Sequence, residues 1–248
     1  MQLALEDTAP ERKTSEEERF EDDYYAYFEQ PENSKRYKPT AYFLDEAFEQ
    51  RPFSLLDVGC GNAALIKYLP ERCDYWGVDH SKLAIDGCLK RYPNKNFICQ
   101  DLSQVLSELV AEKKKFDAIV LSGILFHAAD KETLEQKDDR ELVTFCLNQI
   151  LSPDGYLAII IPFAYGKHPA HSLFTRAEWL QNTAENLLET TKAKIVYGNL
   201  SLLIGLEEKV RQQKSIPDWF VSDDTADYPN RFAGTYMAAW TFIATPNG

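Results

Sequence analysis

Apolar and polar positions follow two alternating patterns through the middle of the chain. Short apolar runs with a period of two, typical of buried strands, are separated by stretches with the helical period. Strands are predicted at Phe53–Val58, Tyr75–Asp79, Asn96–Asp101, Phe116–Ser122 and Tyr156–Pro162. Helices are predicted at Ala63–Leu69, Ser81–Arg91, Leu102–Ala111 and Lys131–Leu151. Strands that alternate with helices form parallel βαβ units, so an open α/β sheet covered on both faces is expected.

The two ends of the chain depart from this pattern. Near the start, "YFLDEAFE" is predicted to be a helix with Tyr42, Phe43, Ala47 and Phe48 on one face. Near the end, "AKIVYG" and "GTYMAAWTFIAT" predict two further strands that pair antiparallel, and "SPDG" predicts a turn just before the fifth strand. The predicted fold is therefore α/β: a doubly wound, mostly parallel seven-stranded sheet with an antiparallel last strand, plus N-terminal helices.

Composition narrows the class of protein. The 248 residues carry a formal net charge of −12, which argues against a nucleic-acid partner because a phosphate backbone needs clustered cations. The five cysteines are scattered without a C-x-x-C pair, as in a reduced compartment. The acidic start of the chain does not resemble a secretory signal, and the longest apolar run is about half the length needed to span a bilayer. A cytoplasmic protein without a membrane partner is expected.

The stretch "SLLDVGCGNAAL" predicts a buried strand, a glycine turn and a helix, a unit that brings backbone close to a nucleotide. The spacing Gly59-x-Gly61-x-x-Ala64 formally satisfies the dinucleotide fingerprint. Asp57, however, lies two positions before the first glycine, where its charge would repel a pyrophosphate. The spacing of the glycines alone therefore does not identify the nucleotide, and the neighbouring acidic residues have to be considered.

Two further acids end the next two predicted strands. Asp79 is positioned to accept the hydroxyls of a ribose, and Asp101 lies at the same rim, where it suits an adenine amino group. Capping of the helices that follow is the alternative role for both carboxylates. Three acids with no Arg or Lys near the glycines favour a cationic nucleoside without phosphate, and S-adenosylmethionine is such a ligand.

The motifs "LLDVGCGNA", "GVDHS", "CQDLS", "FDAIVLSGILFH" and "ILSPDGYLAIII" resemble, in order and spacing, those of class I S-adenosylmethionine-dependent methyltransferases. The resemblance covers about Phe53 to Pro162. It implies that the glycine loop contacts the methionine part of the cofactor. The sequence departs from the family at Ala63, where a third glycine is common. The cofactor contacts that it implies are Asp57, Gly59, Gly61, Asp79, His80, Asp101, Leu102 and Ser122.

The same resemblance divides the chain. Residues 1–50 are expected to form an N-terminal helical extension or lid, and residues 51–248 the S-adenosylmethionine-binding domain. The segment 201–233 is long for a connection and is expected to be an insertion on the substrate side. Its aromatic residues and those of the extension are suited to enclosing a small acceptor. The extension is equally compatible with a homodimer interface.

His127, which follows the fourth strand, is the candidate general base, with packing against the cofactor as its alternative role. No metal site is predicted, because the pair His168 and His171 has no evident third ligand. Acceptor contacts are expected from Tyr24, Tyr27, His168 and Trp219.

The predicted function is methyl transfer from S-adenosylmethionine to a small molecule, at an oxygen, nitrogen or carbon atom. Two alternatives remain: a non-methylating protein that binds S-adenosylmethionine, and an NAD-dependent dehydrogenase, against which Asp57 counts. The chain reads "SGIL" after the fourth strand, so the Asn/Asp-Pro-Pro-aromatic signature of amino-group methylation on DNA is absent.

Overall fold

A computed structural model describes residues 35–124, 141–165, 188, 191, 193–202 and 236–246, and within these ranges it forms one seven-stranded sheet. The strand order is β3-β2-β1-β4-β5-β7-β6. The strands are β1 (Phe53–Val58), β2 (Cys73–Asp79), β3 (Asn96–Cys99), β4 (Phe116–Ser122), β5 (Leu151–Tyr165), β6 (Ala193–Leu202) and β7 (Tyr236–Pro246). The predicted α/β fold class is confirmed.

The pairing of the strands defines the edge at which a ligand is expected. Strands β1 to β5 pair in parallel, whereas β7 pairs antiparallel with both β5 and β6. The chain builds outward from β1 through β2 to β3 and then crosses to β4 on the other side. In open α/β sheets, ligands bind outside the carboxyl ends of the strands at such a reversal of strand order. The crevice between the carboxyl ends of β1 and β4 is thus the expected site.

Helical segments cover both faces of the sheet, each over its own buried apolar cluster. One face carries the 3₁₀ helices Lys35–Tyr37 and Ala64–Tyr68 together with α1 (Lys38–Ala47) and α2 (Lys82–Arg91). The other carries α3 (Leu102–Ala111) and the π-helical turn Cys146–Ile150. No helix in the part of the chain that the structure describes is both long enough and apolar enough to cross a membrane.

Helix α1 is bound to the sheet by residues spaced at the helical period. Ala41 and Leu44 are buried, and Phe48, just beyond the helix, stacks on Phe53 with 4.5 Å between ring centroids. The predicted inward position of Tyr42 is wrong, because this side chain is 66% exposed. The helix turns slightly relative to the predicted apolar face, so Thr40 is buried instead.

Two predicted elements differ from the structure in kind, and β3 ends at Cys99, two residues before its predicted end. The helix expected at Ala63–Leu69 is a shorter 3₁₀ helix, since Pro70 disfavours a helical conformation at the residue before it. The turn predicted at Ser152–Gly155 lies inside β5, where pairing with β4 jumps from Leu151 to Tyr156. The intervening residues form an irregularity within the strand and do not reverse the chain.

Candidate active site

The glycine loop after β1 is held against the end of β2 by its own backbone. The N–H groups of Gly59 and Cys60 both donate to the carbonyl oxygen of Val78, at 2.9 and 3.0 Å. The N–H of Gly61 donates to Asp79 Oδ2 at 2.8 Å. Both glycines have positive φ, +68° and +53°, a conformation that residues with a Cβ adopt at a cost.

These hydrogen bonds decide against a phosphate in the loop. A phosphate-binding turn directs unpaired N–H groups and the start of an α-helix at the anion. In this loop the N–H groups of Gly59, Cys60 and Gly61 already have partners within the protein, and a short 3₁₀ helix follows. The loop is therefore shaped for close approach of an uncharged or cationic group.

Ala63 adopts the left-handed conformation, with φ 57° and ψ 38°, and is fully buried. This is the position at which the sequence departs from the family by carrying alanine in place of glycine. The structure accommodates the methyl group in the apolar cluster beneath the loop, at the cost of a backbone conformation that alanine disfavours.

Asp79 anchors the loop and faces the crevice. Its Oδ1 accepts the N–H of Ser81 at 2.9 Å, and its Oδ2 accepts the N–H of Gly61. The side chain is 12% exposed. Each carboxylate oxygen has a second lone pair, so both can still accept a hydroxyl from a ligand. The carboxylate thus has a local structural role that leaves it able to play the ligand-binding role predicted for it.

Asp57 lies beneath the loop, 3% exposed, and its Oδ2 accepts a 2.6 Å hydrogen bond from the hydroxyl of Tyr75. Burial raises the pKa of Asp57 to about 7; the Tyr75 hydrogen bond lowers this pKa, nearby Asp79 raises it, and Arg36 lowers it. The group is therefore an acid that ionises near neutral pH. A cation placed beside it would favour the ionised form.

Tyr75 is not among the predicted site residues, although it contacts Asp57. In the parallel pairing of β1 and β2, Leu55 lies opposite Tyr75 and Asp57 lies opposite Gly77. Side chains two apart on a strand share a face, so Tyr75 is a diagonal neighbour of Asp57. Only the register of the two strands brings them together, and a single strand's periodicity does not give that register.

The third carboxylate occupies a more exposed position. Asp101 is the N-cap of α3, where Oδ1 accepts the N–H and the hydroxyl of Ser103. These hydrogen bonds lower the pKa of Asp101. Leu102, the next residue, packs partly against the core. His80 is exposed, with Nδ1 3.8 Å from Asp79 Oδ1.

Ser122 ends β4 on the other side of the crevice. Its hydroxyl oxygen is buried, and among the residues that the structure describes it has no hydrogen-bond partner. A buried hydroxyl without a partner is costly and calls for an explanation such as a bound ligand. The remaining predicted contacts, on which the structure gives no information, lie outside the described residues: Tyr24, Tyr27, His127, His168, His171 and Trp219.

Comparison with known families identifies this arrangement. The model of the family described as "Methyltransferase domain" matches residues 56–159, which run from β1 into β5 and contain the glycine loop and its carboxylates. This part of the chain is similar to a methyltransferase domain. A comparison of the sequence with curated proteins finds no significant match.

Solved structures of methyltransferases share the fold of this chain at low sequence identity. A SAM-dependent methyltransferase from Archaeoglobus fulgidus is 18% identical, with a TM-score of 0.51, over 90% of this chain and 99% of its own. The plantazolicin methyltransferase BpumL, in complex with pentazolic desmethylPZN analog and SAH, is 15% identical, with a TM-score of 0.53, over 94% of this chain and 92% of its own.

The side chains around the glycine loop fit S-adenosylmethionine as a cofactor. S-adenosylmethionine carries an ammonium and a sulfonium but no phosphate, and the carboxylates of Asp57 and Asp79 lie beside the glycine loop. The thiol of Cys88 and the guanidinium of Arg91 bond the carbonyl oxygens of Gly61 and Asn62 in the same loop. Gly59 allows the side chain of Ile124 to pack against the loop, since a Cβ there would lie 2.5 Å from Ile124 Cγ2. Gly77 similarly leaves room for Cys60, whose sulfur would lie 2.8 Å from an added Cβ.

Gly59→Ala is expected to lower the free energy of unfolding by about 1–2 kcal/mol, because of its positive φ and the overlap with Ile124. Gly87→Ala is the matched control, since nothing lies within 4 Å of its added Cβ in α2 and alanine favours a helix. Denaturant titration of both variants checks this expectation. A Gly59→Ala variant as stable as Gly87→Ala would contradict it.

Proposed function

We propose that the protein transfers the methyl group of S-adenosylmethionine to a small-molecule acceptor by in-line displacement at the methyl carbon. The observation that carries this proposal is the pair of carboxylates, Asp57 and Asp79, on either side of a glycine loop whose N–H groups are occupied within the protein. Asp79 is assigned to the ribose hydroxyls, and Asp57 with the glycines to the methionine ammonium. Asp101 and Leu102 are assigned to the adenine.

The proposal of a small acceptor rests on charge and composition. A net charge of −12 disfavours a nucleic acid, which needs clustered Lys and Arg. The extension 1–50 carries nine of the 31 aromatic residues of the chain, and the segment 201–233 carries four more. Aromatic side chains are the usual lining of pockets for flat or apolar small molecules.

Transfer of a labelled methyl group tests the acceptor class directly. Purified protein is incubated with methyl-labelled S-adenosylmethionine and a cell extract, and the products are separated into small molecules, proteins and nucleic acids. Label is expected in the small-molecule fraction, and Asp79→Ala is expected to remove it. Label confined to protein or nucleic acid would refute the small-molecule proposal, and no transfer to any fraction would favour the non-methylating alternative.

His127 is proposed as the general base for an acceptor that arrives protonated, because an imidazole near its unperturbed pKa removes a proton at neutral pH. His127→Ala is expected to reduce turnover by about 10²–10⁴-fold while leaving the affinity for S-adenosylhomocysteine unchanged. Steady-state kinetics and calorimetric titration measure the two quantities. Unaltered turnover would assign His127 to packing.

We propose a cytoplasmic location because the cysteines are unpaired. All five are free thiols, and Cys60, Cys73, Cys88 and Cys146 are buried. Unpaired buried thiols are typical of proteins kept in a reducing compartment.

A further inference from the structure

Three buried hydroxyl groups, on Thr40, Ser122 and Thr241, have no hydrogen-bond partner within the described part of the chain. Thr40 and Thr241 are fully buried, and neither belongs to the motifs around the glycine loop. A buried hydroxyl without a partner lowers stability, because it has lost its hydrogen bonds to water and gained none. Valine would fill the same space without this cost. A threonine at such a position therefore indicates a hydrogen-bonding partner that a ligand supplies.

The pairing of the strands places two of these hydroxyls in one row across the sheet. Ser122 of β4 lies opposite Ile160 of β5, and Ile160 lies opposite Thr241 of β7. Paired residues share a face of the sheet, and Ile160 belongs to the apolar cluster beneath α1. Neighbouring strands are about 4.8 Å apart, so Ser122 and Thr241 are separated by about 10 Å, with Ile160 between them.

The third hydroxyl, on Thr40, lies in the first turn of α1 above this face of the sheet. Beyond the other end of the helix, Phe48 stacks on Phe53 at the amino end of β1. The 3₁₀ helix Lys35–Tyr37 that precedes α1 packs against β5, β7 and the Ala64–Tyr68 segment after the glycine loop. The start of α1 therefore lies toward the carboxyl edge of the sheet, over the strands that carry the row.

The row begins beside the cofactor site and leads away from it. Ser122 ends β4, across the crevice from the glycine loop, and is a predicted cofactor contact. Strands β5 and β7 lie on the far side of β4 from β1, so Thr241 is distant from the carboxylates beside the loop. A ligand group at Thr241 thus belongs to a second molecule, bound next to the cofactor. In methyl transfer that second molecule is the acceptor.

We propose that the hydroxyls of Thr241 and Thr40 bind a polar group of the acceptor, at the end remote from the atom that is methylated. A hydroxyl can both donate and accept, so a hydroxyl, carbonyl or amide group of the acceptor fits. Ile160 contacts the apolar body between the two ends. This inference rests on the proposed function and narrows the acceptor to an apolar small molecule with a second hydrogen-bonding group about 10 Å from its reacting end.

The start of α1 covers the row, since Ile160 and Thr241 are 1% and 0% exposed. The acceptor therefore reaches the row only when this part of the helix moves away from the sheet. Within the described residues, the N-cap Tyr37 provides no side-chain hydrogen bond to the helix start, and an uncapped first turn opens at lower cost than a capped one. Thr40 moves with this turn and contacts the acceptor from the side opposite Thr241.

Thr241→Val keeps the shape of the side chain, removes its hydroxyl and tests the inference by two measurements. Thermal melting without ligand is expected to give a melting temperature about 2–4 °C above wild type, because an unpartnered buried hydroxyl is lost. Transfer of labelled methyl from S-adenosylmethionine is then followed at several dilutions of the small-molecule filtrate of a cell extract. The amount of filtrate that gives half the maximal rate is expected to rise about three- to tenfold, with the maximal rate and the affinity for S-adenosylhomocysteine unchanged.

Thr245→Val is the matched control, on the same face of the same strand. Thr245 Oγ1 donates to the carbonyl oxygen of Gly155 at 3.0 Å, so this variant is expected to melt at a lower temperature than wild type and to transfer methyl as wild type does. Thr241→Ser keeps the hydroxyl and is expected to need no more filtrate than wild type. Thr40→Val is expected to repeat both effects of Thr241→Val from the side of α1.

A lower melting temperature for Thr241→Val would show that its hydroxyl has a structural partner, and would overturn the inference. An unchanged half-saturating amount of filtrate would overturn it as well, as would a loss of transfer that Thr241→Ser shares. Wild-type protein that transfers no label to the filtrate would overturn the proposed function, and the inference with it. Wild-type transfer with equal responses of Thr241→Val and Thr245→Val would overturn the inference alone.

Discussion

Asp57→Asn is expected to raise the free energy of unfolding at pH 8 by about 1–3 kcal/mol, and to weaken binding of S-adenosylhomocysteine at the same time. The carboxyl group has a pKa of about 7 in the folded protein, against 3.8 as its ordinary value. Folding therefore costs wild-type protein increasing free energy as the pH rises from about 4 to about 7. Above that range the full cost of burying the charge is present.

Asp57→Asn removes the free-energy cost of burying a charge and keeps the hydrogen bond from Tyr75. An asparagine Oδ1 can accept the Tyr75 hydroxyl as the carboxylate does, but its amide carries no charge that changes with pH. The stability gained should accordingly be largest at pH 8 and disappear near pH 4. The loss of binding follows because the amide no longer attracts the methionine ammonium. The cofactor site thus holds a charge that the fold alone would be more stable without.

Denaturant unfolding at several pH values, with calorimetric titration at pH 8, measures both effects. Asp86→Asn is the control, since Asp86 is an exposed carboxylate paired with Lys82 on α2, and its stability change should stay within about 0.5 kcal/mol at each pH. A gain for Asp57→Asn that did not grow with pH would contradict the assignment of a buried titrating group.

Asp79→Ala is expected to weaken S-adenosylhomocysteine binding by about 2–3 kcal/mol, roughly 30- to 150-fold. The carboxylate is the proposed acceptor for both ribose hydroxyls. It also accepts the N–H groups of Gly61 and Ser81, so its removal frees the middle of the glycine loop from β2. The lost ligand contacts and the looser loop act in the same direction.

The matched control for this variant is Asp86→Ala, which removes an exposed carboxylate of the neighbouring helix α2. Its affinity should equal that of wild type. The ribose analogue 2′,3′-dideoxyadenosine adds a second check, because its affinity should respond to Asp79→Ala much less than that of adenosine. Unchanged affinity for S-adenosylhomocysteine in Asp79→Ala would show that the ribose assignment is wrong.

Sequence periodicity predicted those elements whose signal is local. The bounds of β1, β4 and α3 are confirmed to the residue, because each combines a clean period with an unambiguous end. Asp101 is such an end for α3, where its side chain caps the helix. The antiparallel pairing of the last two strands is confirmed as well.

Features that depend on contacts between distant segments were not predictable in this way. The hydrogen bond between Tyr75 and Asp57 requires the register of two parallel strands, which no single strand encodes. The burial of Arg36 depends on how α1 lies across the sheet, and a charged residue before a helix is ordinarily read as exposed. The hydrogen bond between Gly61 and Asp79 joins two residues predicted from the motifs, whose ligand contacts stay predictions, whereas the residues outside the motifs that support them were missed.

The bonds that tie the glycine loop to Val78 and Asp79 also limit what redesign of this scaffold can achieve. Exchanging side chains around the loop alters charge and shape, yet the N–H groups of Gly59 and Cys60 stay bonded to the carbonyl oxygen of Val78. A change of coenzyme would require the turn itself to be rebuilt, with a longer helix behind it. In this architecture, then, part of the barrier to a pyrophosphate coenzyme is expected to lie in main-chain hydrogen bonds that a side-chain exchange does not remove.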